Sequence, residues 1–480
     1  MMLSLHREGF LRLSLARRRW EWDEEKMHSK KLHDDVAMFF VNSINTLATD
    51  VKIALRVLSC FGSSTECEFI QAIETDLKLN VTEPLKIAMA EGLVNKLDGK
   101  YVFCHDRIQE ATYSMIEEQD RYLHHMNYGL SLIKRSMRDD HVALLFTAVM
   151  QLNLGGPSAV QHADEYHKIA KYNLLAGKKA MEMSDFSSAF SFFDHGMTFL
   201  RKKHWRDQYD LSLELFNLAA KCALAIEDHS SLTMICDEVS RNARNYKDTL
   251  SSSFTHMSAL IHSRISDSLE FGFKELSRLG VDIPSSVSRD DTLKLITETK
   301  SMLDGFTDDT LLNYHVLSDY KKVMAIKFLA KLENSINQAN PSLLPFITIK
   351  IIQLTIEHGM SPMSAIGFAY FGGIIGELGD IRGGYRYTRL AKALLNKYKC
   401  NEIAGEVMFL SSEILSFLEP LQGTNEYRIQ GQELAMSAGD IHWARMNRLG
   451  FIGTLIWSGT NLSSVKEELI SARHVSNCEM

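Results

Sequence analysis

The sequence predicts a mostly α protein: a small winged-helix-like α+β domain, then a TPR-like α-helical superhelix. Three observations carry this. The pair Asp98-Gly99 sits between two short apolar runs, a two-residue hairpin signal, and an amphipathic helical pattern follows directly. From Glu118 onward, helical patterns succeed one another with only short polar breaks, the mark of a repeat array. Two stretches, starting near Ala170 and Phe368, put small and large residues in the register of a tetratricopeptide motif.

Residues 1–30 begin with a strand-like alternation of Leu11, Leu13 and Leu15. Trp20 and Trp22 then alternate with acids, as on a half-buried strand. A lone strand needs a sheet partner, and nothing nearby in sequence supplies one. The segment therefore reads as the remnant of a preceding domain. Residues 31–92 read as four short helices. Asp34-Asp35 opens the first, with Val36, Phe39, Phe40, Ser43, Ile44 and Leu47 on one face. Thr49-Asp50 caps the second, with Ile53, Ala54, Val57 and Leu58 inward, and Phe61-Gly62 ends it. Residues 66–79 and 82–91 give the other two.

The stretch 102–113, VFCHDRIQEATY, closes this domain. The hairpin ends in His105. Asp106 is placed to cap the next helix, with Gln109 three residues on to return the bond. Ile108, Ala111, Thr112, Met115 and Ile116 fall on one helical face. A wing followed by a helix results.

In the array, Gly177, Ala180, Ala189, Phe193 and Gly196 take the small, small, small, large and small positions of one repeat. Ser184-Asp185 makes its turn. Small residues let the paired helices approach, and Phe193 fills the space between neighbours. The second match uses Phe371, Gly372, Ile375, Gly384, Thr388 and Ala391, with Leu378-Gly379-Asp380 as the turn. Thr388 stands where a large residue is expected, offset by Tyr385 and Tyr387. Ala438-Gly439-Asp440 repeats the turn. Degenerate pairs lie around 211–226 and 230–246, and further helices cover 402–418, 421–438, 441–458 and 463–475. Pro284 and the serines around it mark a break between two sub-arrays. The domains expected are thus 1–30, 31–118, 119–283 and 284–480.

Composition excludes several classes. The 480 residues are 45% hydrophobic and 24% charged, which are globular values. A net charge of −7 and a pI of about 6.2 argue against nucleic acid as a partner. Arg17-Arg18-Arg19 reads as a solvated strand edge. The seven cysteines, Cys60, Cys67, Cys104, Cys222, Cys236, Cys400 and Cys478, have no metal-ligand or redox spacing and read as free thiols of a reducing, cytoplasmic compartment. His6, Arg7, Glu8 and Arg12 break any secretory signal. The most apolar stretch, 363–376, spans about fourteen residues, too few to cross a membrane, and reads as a helix packed closely on another. His124-His125, His162 with His167, and His256 with His262 lack carboxylate or cysteine partners at ligand spacing, so they read as surface or groove histidines rather than metal ligands.

Several stretches resemble one family, the very large sensor kinases in which an AAA-like (STAND-type) ATPase is followed by helical repeats and then a histidine-kinase core, often with a protein-kinase domain in front. The pieces are Arg18-Arg19-Trp20-Glu21-Trp22-Asp23, Leu58-Ser59-Cys60-Phe61-Gly62, Glu91-Gly92-Leu93, the run from Phe103 to Ser114, Tyr172 to Ala180 with its helix pair, and Leu279 to Pro284. Their order and spacing fit the family's middle region. The resemblance implies that residues 1–30 end an ATPase domain, that the winged-helix-like domain packs on that ATPase, and that the array binds a protein or peptide. It also implies that Phe103, Asp106 and Arg107 are motif positions and that His105 touches a nucleotide phosphate, provided an ATPase is present. The other reading of His105 is wing packing, with Asp106 only a cap.

No phosphate loop G-x-x-x-x-G-K-[ST] occurs, since Gly177-Lys178-Lys179 lacks the first glycine and the hydroxyl, and no kinase motif occurs. This chain is therefore expected to have no catalytic residue, metal or cofactor of its own, with ATP or ADP only in a longer protein. Its expected role is a non-catalytic regulatory and interaction segment. The alternative is a free-standing TPR-like scaffold that holds a peptide or protein on its concave face.

Overall fold

The computed structural model of the chain describes residues 11–14, 19–22, 36–139 and 141–477. The readings of residues 1–10, Arg17, Arg18, the Asp34-Asp35 helix start and Cys478 lie outside them. The chain divides into two compact units, 1–169 and 170–480.

In the first unit β1 (Leu11–Ser14) and β2 (Arg19–Trp22) pair antiparallel, Leu11 opposite Trp22 and Leu13 opposite Trp20. This corrects the expectation of a lone strand: each strand is the other's partner. The half-buried reading of the tryptophans also fails, because Trp20 is 39% and Trp22 58% exposed.

Then come α1 (Val36–Asn45), α2 (Thr49–Ser59), β3 (Ser64–Glu66), α3 (Cys67–Leu77), α4 (Thr82–Ala90), β4 (Val94–Leu97), β5 (Lys100–Phe103) and α5 (Asp106–Ser114). The three strands form an antiparallel sheet in the order β3-β5-β4. The hairpin is as the sequence predicts: Asp98 and Gly99 take φ of 47° and 80°, the left-handed pair that a type I′ turn needs. The strand β3 escaped the sequence reading, which ran a helix through Glu66. Three residues are too few to show an alternating pattern, and its register comes from pairing Ser64 with Val102 and Glu66 with Lys100. One cap here also differs. Ala48, not Thr49, precedes α2, without a side-chain bond. In α2 Val51 and Leu55 point inward with Ala54, Val57 and Leu58, while Ile53 is 42% exposed. The predicted face of α5 is buried at Ile108, Ala111, Thr112 and Ile116. The unit closes with the helix pair α6 (Glu118–Asp139) and α7 (Val142–Gly155).

The second unit begins inside α8 (Ala163–Glu182). It continues through α9 (Phe186–Thr198), the single turn α10 (His204–Asp207), α11 (Tyr209–Ala225), α12 (His229–Asn242), α13 (Tyr246–Ser263), α14 (Ile265–Arg278), α15 (Arg289–Asp304) and α16 (Asp308–Leu312). Beyond these lie α17 (Tyr320–Ala339), α18 (Leu344–His358), α19 (Ser364–Glu377), α20 (Ile381–Tyr398), α21 (Ala404–Leu415), α22 (Asn425–Ala438), α23 (Ile441–Trp457) and α24 (Leu462–Asn477). From α11 to α14 each helix packs on the next, and so do those from α17 to α24. One hydrophobic core runs from Leu250 to Val407 across the break at Pro284.

A single turn design recurs. A residue with positive φ is followed by an aspartate that caps the next helix: Ser184 (61°) with Asp185, Glu227 (59°) with Asp228, Gly379 (97°) with Asp380, Gly439 (74°) with Asp440. Each carboxylate accepts the backbone N–H three residues on, one of the donors a helix start leaves unpaired. Where the motif demands small residues, the reason is visible. A Cβ on Gly177 would collide with the Phe193 ring, and Gly372 and Gly384 bring two backbones together, so that a Cβ on Gly384 would lie 2.6 Å from the Gly372 carbonyl oxygen. Buried Tyr387, its ring 5.1 Å from that of Phe371, makes up for Thr388. The apolar stretch 363–376 thus belongs to a tightly packed helix pair. No helix among the described residues is long and apolar enough to cross a membrane.

Candidate functional site

The residues singled out from sequence fall in two places. Phe103 is buried, while His105, Asp106 and Arg107 are exposed. His105, rather than Asp106, is the N-cap of α5, its Nδ1 accepting the Arg107 backbone N–H at 3.1 Å. The neutral ring therefore carries its proton on Nε2. Asp106 occupies the first turn, where a carboxylate suits the helix dipole. Gln109 does not return a capping bond; it reaches back to the Ser59 carbonyl at 2.8 Å, and Arg107 pairs with Glu110 at 2.8 Å. In the array Ala180, Ala189 and Phe193 are fully buried beside Gly177. They are packing positions.

The histidine reading needs one correction. His125 is 2% exposed rather than on a surface or in a groove. Its Nδ1 meets Gln151 Oε1 at 2.7 Å and its Nε2 meets the Tyr113 hydroxyl at 2.9 Å. The side chain of His262 lies outside the described ones. Among the described residues no group of three His, Cys, Asp or Glu is placed to hold a metal ion.

What the sequence reading missed is a cavity of about 500 Å3 inside the second unit. The turns of two helix pairs meet beside it: Ser184 Oγ donates to the Ser437 carbonyl at 3.1 Å, and Gly439 packs against Phe186. The helix α17 presents Lys327 and Lys331 one turn apart on one face. Opposite them stand Glu402 and Glu406, also one turn apart, and Asp440 at the start of α23. Lys327 pairs with Glu402 at 2.8 Å and Lys331 with Asp440 at 3.5 Å. Glu406 Oε1 accepts the Tyr370 hydroxyl at 2.8 Å. Phe254, Met181 and Met363 supply apolar wall, and Lys221, His442 and Arg445 further polar lining.

Burial pushes the Glu406 carboxyl up to about 7, against the Tyr370 hydrogen bond and the Lys331 charge. Asp440 is half-buried, and Lys331 and the Trp443 backbone N–H hold it below the usual carboxylate range. Burial likewise opposes the charge on Lys331, but Asp440 and Glu406 raise its pKa. Behind the cavity, Glu333 is fully buried. One oxygen accepts the Thr348 hydroxyl at 2.6 Å and the other has no partner, and burial raises its pKa well above the usual carboxylate range. A signal existed in sequence. Lys327 and Lys331 interrupt an otherwise buried run of α17 from Met324 to Leu332, and Glu406 sits in the apolar run AGEVMFL. A charge in such a run needs a buried partner. The arrangement is a recess in which opposed charges pair between apolar walls.

No protein-family model matches the chain. Hybrid signal transduction histidine kinase G of Dictyostelium discoideum is 20% identical over 484 aligned positions, which take in 82% of this chain and 14% of that protein. The chain is thus similar to a small part of a much longer relative. Among solved structures, a STAND (Signal Transduction ATPase with Numerous Domains) protein with a tetratricopeptide repeat sensor from Pyrococcus horikoshii aligns over 92% of this chain and 65% of its own. It has 13% identity and a TM-score of 0.31, a likeness too loose to identify the fold.

Proposed function

We propose that this chain is the regulatory and interaction segment of a longer signal-transduction ATPase or sensor kinase. It is cytoplasmic, non-catalytic in itself, and relays the binding of a protein or peptide on the helical array. The observation that carries this reading is the similarity to a histidine kinase over 82% of the chain, across both units. The array's aspartate-capped turns and glycine contacts support a TPR-like superhelix. In the first unit, the order helix, strand, helix, helix, strand, strand over α2 to β5 supports a winged-helix-like domain that docks on the ATPase. His105 supports that docking too: with Nδ1 engaged in the cap, Nε2–H is the donor an ATPase-bound phosphate would meet. Partner binding shifts the ATPase only by as much as it favours one arrangement of the two over the other.

The test is the size of the native protein, by immunoblot of source cells with an antibody raised against residues 160–200. A band several-fold larger than the 54.5 kDa of this chain is expected. A single band at 54.5 kDa would overturn the reading in favour of a free-standing scaffold.

A further inference from the structure

We propose that the joint between the α8–α9 turn and the α22–α23 turn is a clasp. Closed, it is an autoinhibitory contact that covers the inner wall of the array; open, it offers that wall to a partner. Ser184 Oγ donates to the Ser437 carbonyl, 253 positions on, at 3.1 Å, and this bond is exposed to solvent. Gly439 seats against Phe186 and Ala225. A Cβ on it would lie 3.0 Å from the Phe186 ring and 3.2 Å from the Ala225 Cβ. What opens the clasp rests on the proposed function. Whether it opens does not, since only residues of the second unit take part.

Three observations mark this contact as releasable. Neither side of it is anchored in the main core. The cluster from Leu250 to Val407 takes in none of Ser184, Phe186, Ala225 and Gly439, and the late turn leans on a separate small cluster of Ala435, Trp443 and Ala444. All four contact residues are half-buried or exposed. The joint is also loosely packed. The cavity of about 500 Å3 lies at it, whereas well-packed interiors hold few voids larger than a water, so parting the two sides gives up little dispersion energy. Charge, finally, holds the joint from within. Acids and cations balance around the cavity and pair with one another between chain segments, Lys327 with Glu402 and Lys331 with Asp440. Partial burial opposes the Glu402 charge, but Lys327 and then Lys221 hold its carboxyl below the usual range. Lys221 comes from the early side, on α11, so its pull on Glu402 acts across the joint. An attraction between solvent-facing charges weakens with salt, as burial of apolar surface does not. Phe254, Met363 and Lys327 belong to the wall that closure covers.

The experiment measures the distance across the joint by pulsed electron paramagnetic resonance on the full chain. Spin labels go on Met183→Cys and Met436→Cys, both exposed positions. Cys104, Cys400 and Cys478 are replaced by serine, and the other four cysteines are buried. Two variants strain the joint in different ways. Lys221→Glu turns an attraction for Glu402 into a repulsion, and Ala225→Leu drives a wedge against Gly439. Neither position is fully buried, and circular dichroism checks that the helix content is kept. A single short distance is expected for the parent at about 0.1 M salt. At about 1 M salt, where charges are felt over roughly 3 Å, and in each variant, a second population should appear. It should be longer by about 10 Å or more, the width of a helix. Hydroxyl-radical oxidation of buried Met363 should rise along with it. A short distance kept by both folded variants would overturn the proposal. So would an open population that leaves Met363 as protected as before.

Discussion

The two units bury polar groups in opposite ways. In the first, His125 has both ring nitrogens engaged, and Gln151, which takes one of them, also donates to the Cys60 carbonyl at 3.0 Å. One tautomer satisfies the whole relay: Nδ1–H donates to Gln151 and Nε2 accepts from Tyr113. Burial lowers the pKa of His125, so the ring is neutral in the fold. In the second unit Glu333 keeps one oxygen without a partner and Glu406 is raised to about 7. A complete neutral network fixes a core. A buried carboxyl with an oxygen left unpartnered costs stability.

The largest effect expected from this contrast is in the first unit. His125→Leu fills similar space but strands Gln151 Oε1 and the Tyr113 hydroxyl, each costing about 1–3 kcal/mol, for a loss of about 3 kcal/mol in all. Hydrogen–deuterium exchange on the full chain should then speed up in peptides from α6 and α7 and stay unchanged in α22 and α23. Unchanged exchange in α6 and α7 would mean that the relay is not what holds that helix pair.

The next effect concerns pH, and the two units should answer it with opposite sign. Glu406 has a folded pKa of about 7 against 4.5 unfolded. The folded state holds the extra proton, so its contribution is full below pH 4.5 and is lost as pH rises through about 7. It amounts to about 3 kcal/mol at full span. His125 has a depressed folded pKa, so its contribution is full above the unfolded value of 6.5 and is lost as pH falls below it. Between about pH 5 and pH 7, acidification should raise the protection of amides, measured relative to their intrinsic exchange rate at each pH, in α21 and lower it in α6 and α7. Glu406→Gln should flatten the first trend and leave the second. Parallel trends in both units would end the contrast.

How much of this could be read beforehand depended on how local the cause was. The Asp98-Gly99 turn, the buried face of α5 and the Gly177–Phe193 contact are set by residues within about twenty positions of one another, and their patterns were legible. The strand β3 was not, because three residues gain their conformation only from β5, more than thirty positions on. His105 took the capping role assigned to its neighbour because either side chain can accept an N–H at a helix start. The cavity was hidden for the same reason as β3. Lys331 and Asp440 are 109 positions apart, and only the fold brings them together. The warning available in sequence was the improbable placing of Lys327, Lys331, Glu333 and Glu406 in apolar runs.

The smallest effect separates capping from the cavity's charges. Asp228 and Asp440 sit in the same turn design, but Asp228 bonds only its own turn, at Ser231 N and Ser230 Oγ, whereas Asp440 also meets Lys331. The hydrogen bonds of Ser231 and Ser230 hold the Asp228 carboxyl down at about 2, so it stays ionised at any ordinary pH. Asp228→Ala should therefore cost only a lost cap, about 1 kcal/mol, with no pH dependence between about pH 5 and pH 8. Asp440→Ala should cost more than that, because it also removes the partner of Lys331. It should shift the Glu406 transition to lower pH as well, since a neighbouring negative charge has gone. Thermal melts of both variants across that range decide the point. Equal losses and an unmoved transition would make Asp440 a cap like Asp228 and leave the Lys331 pairing without weight in the cavity.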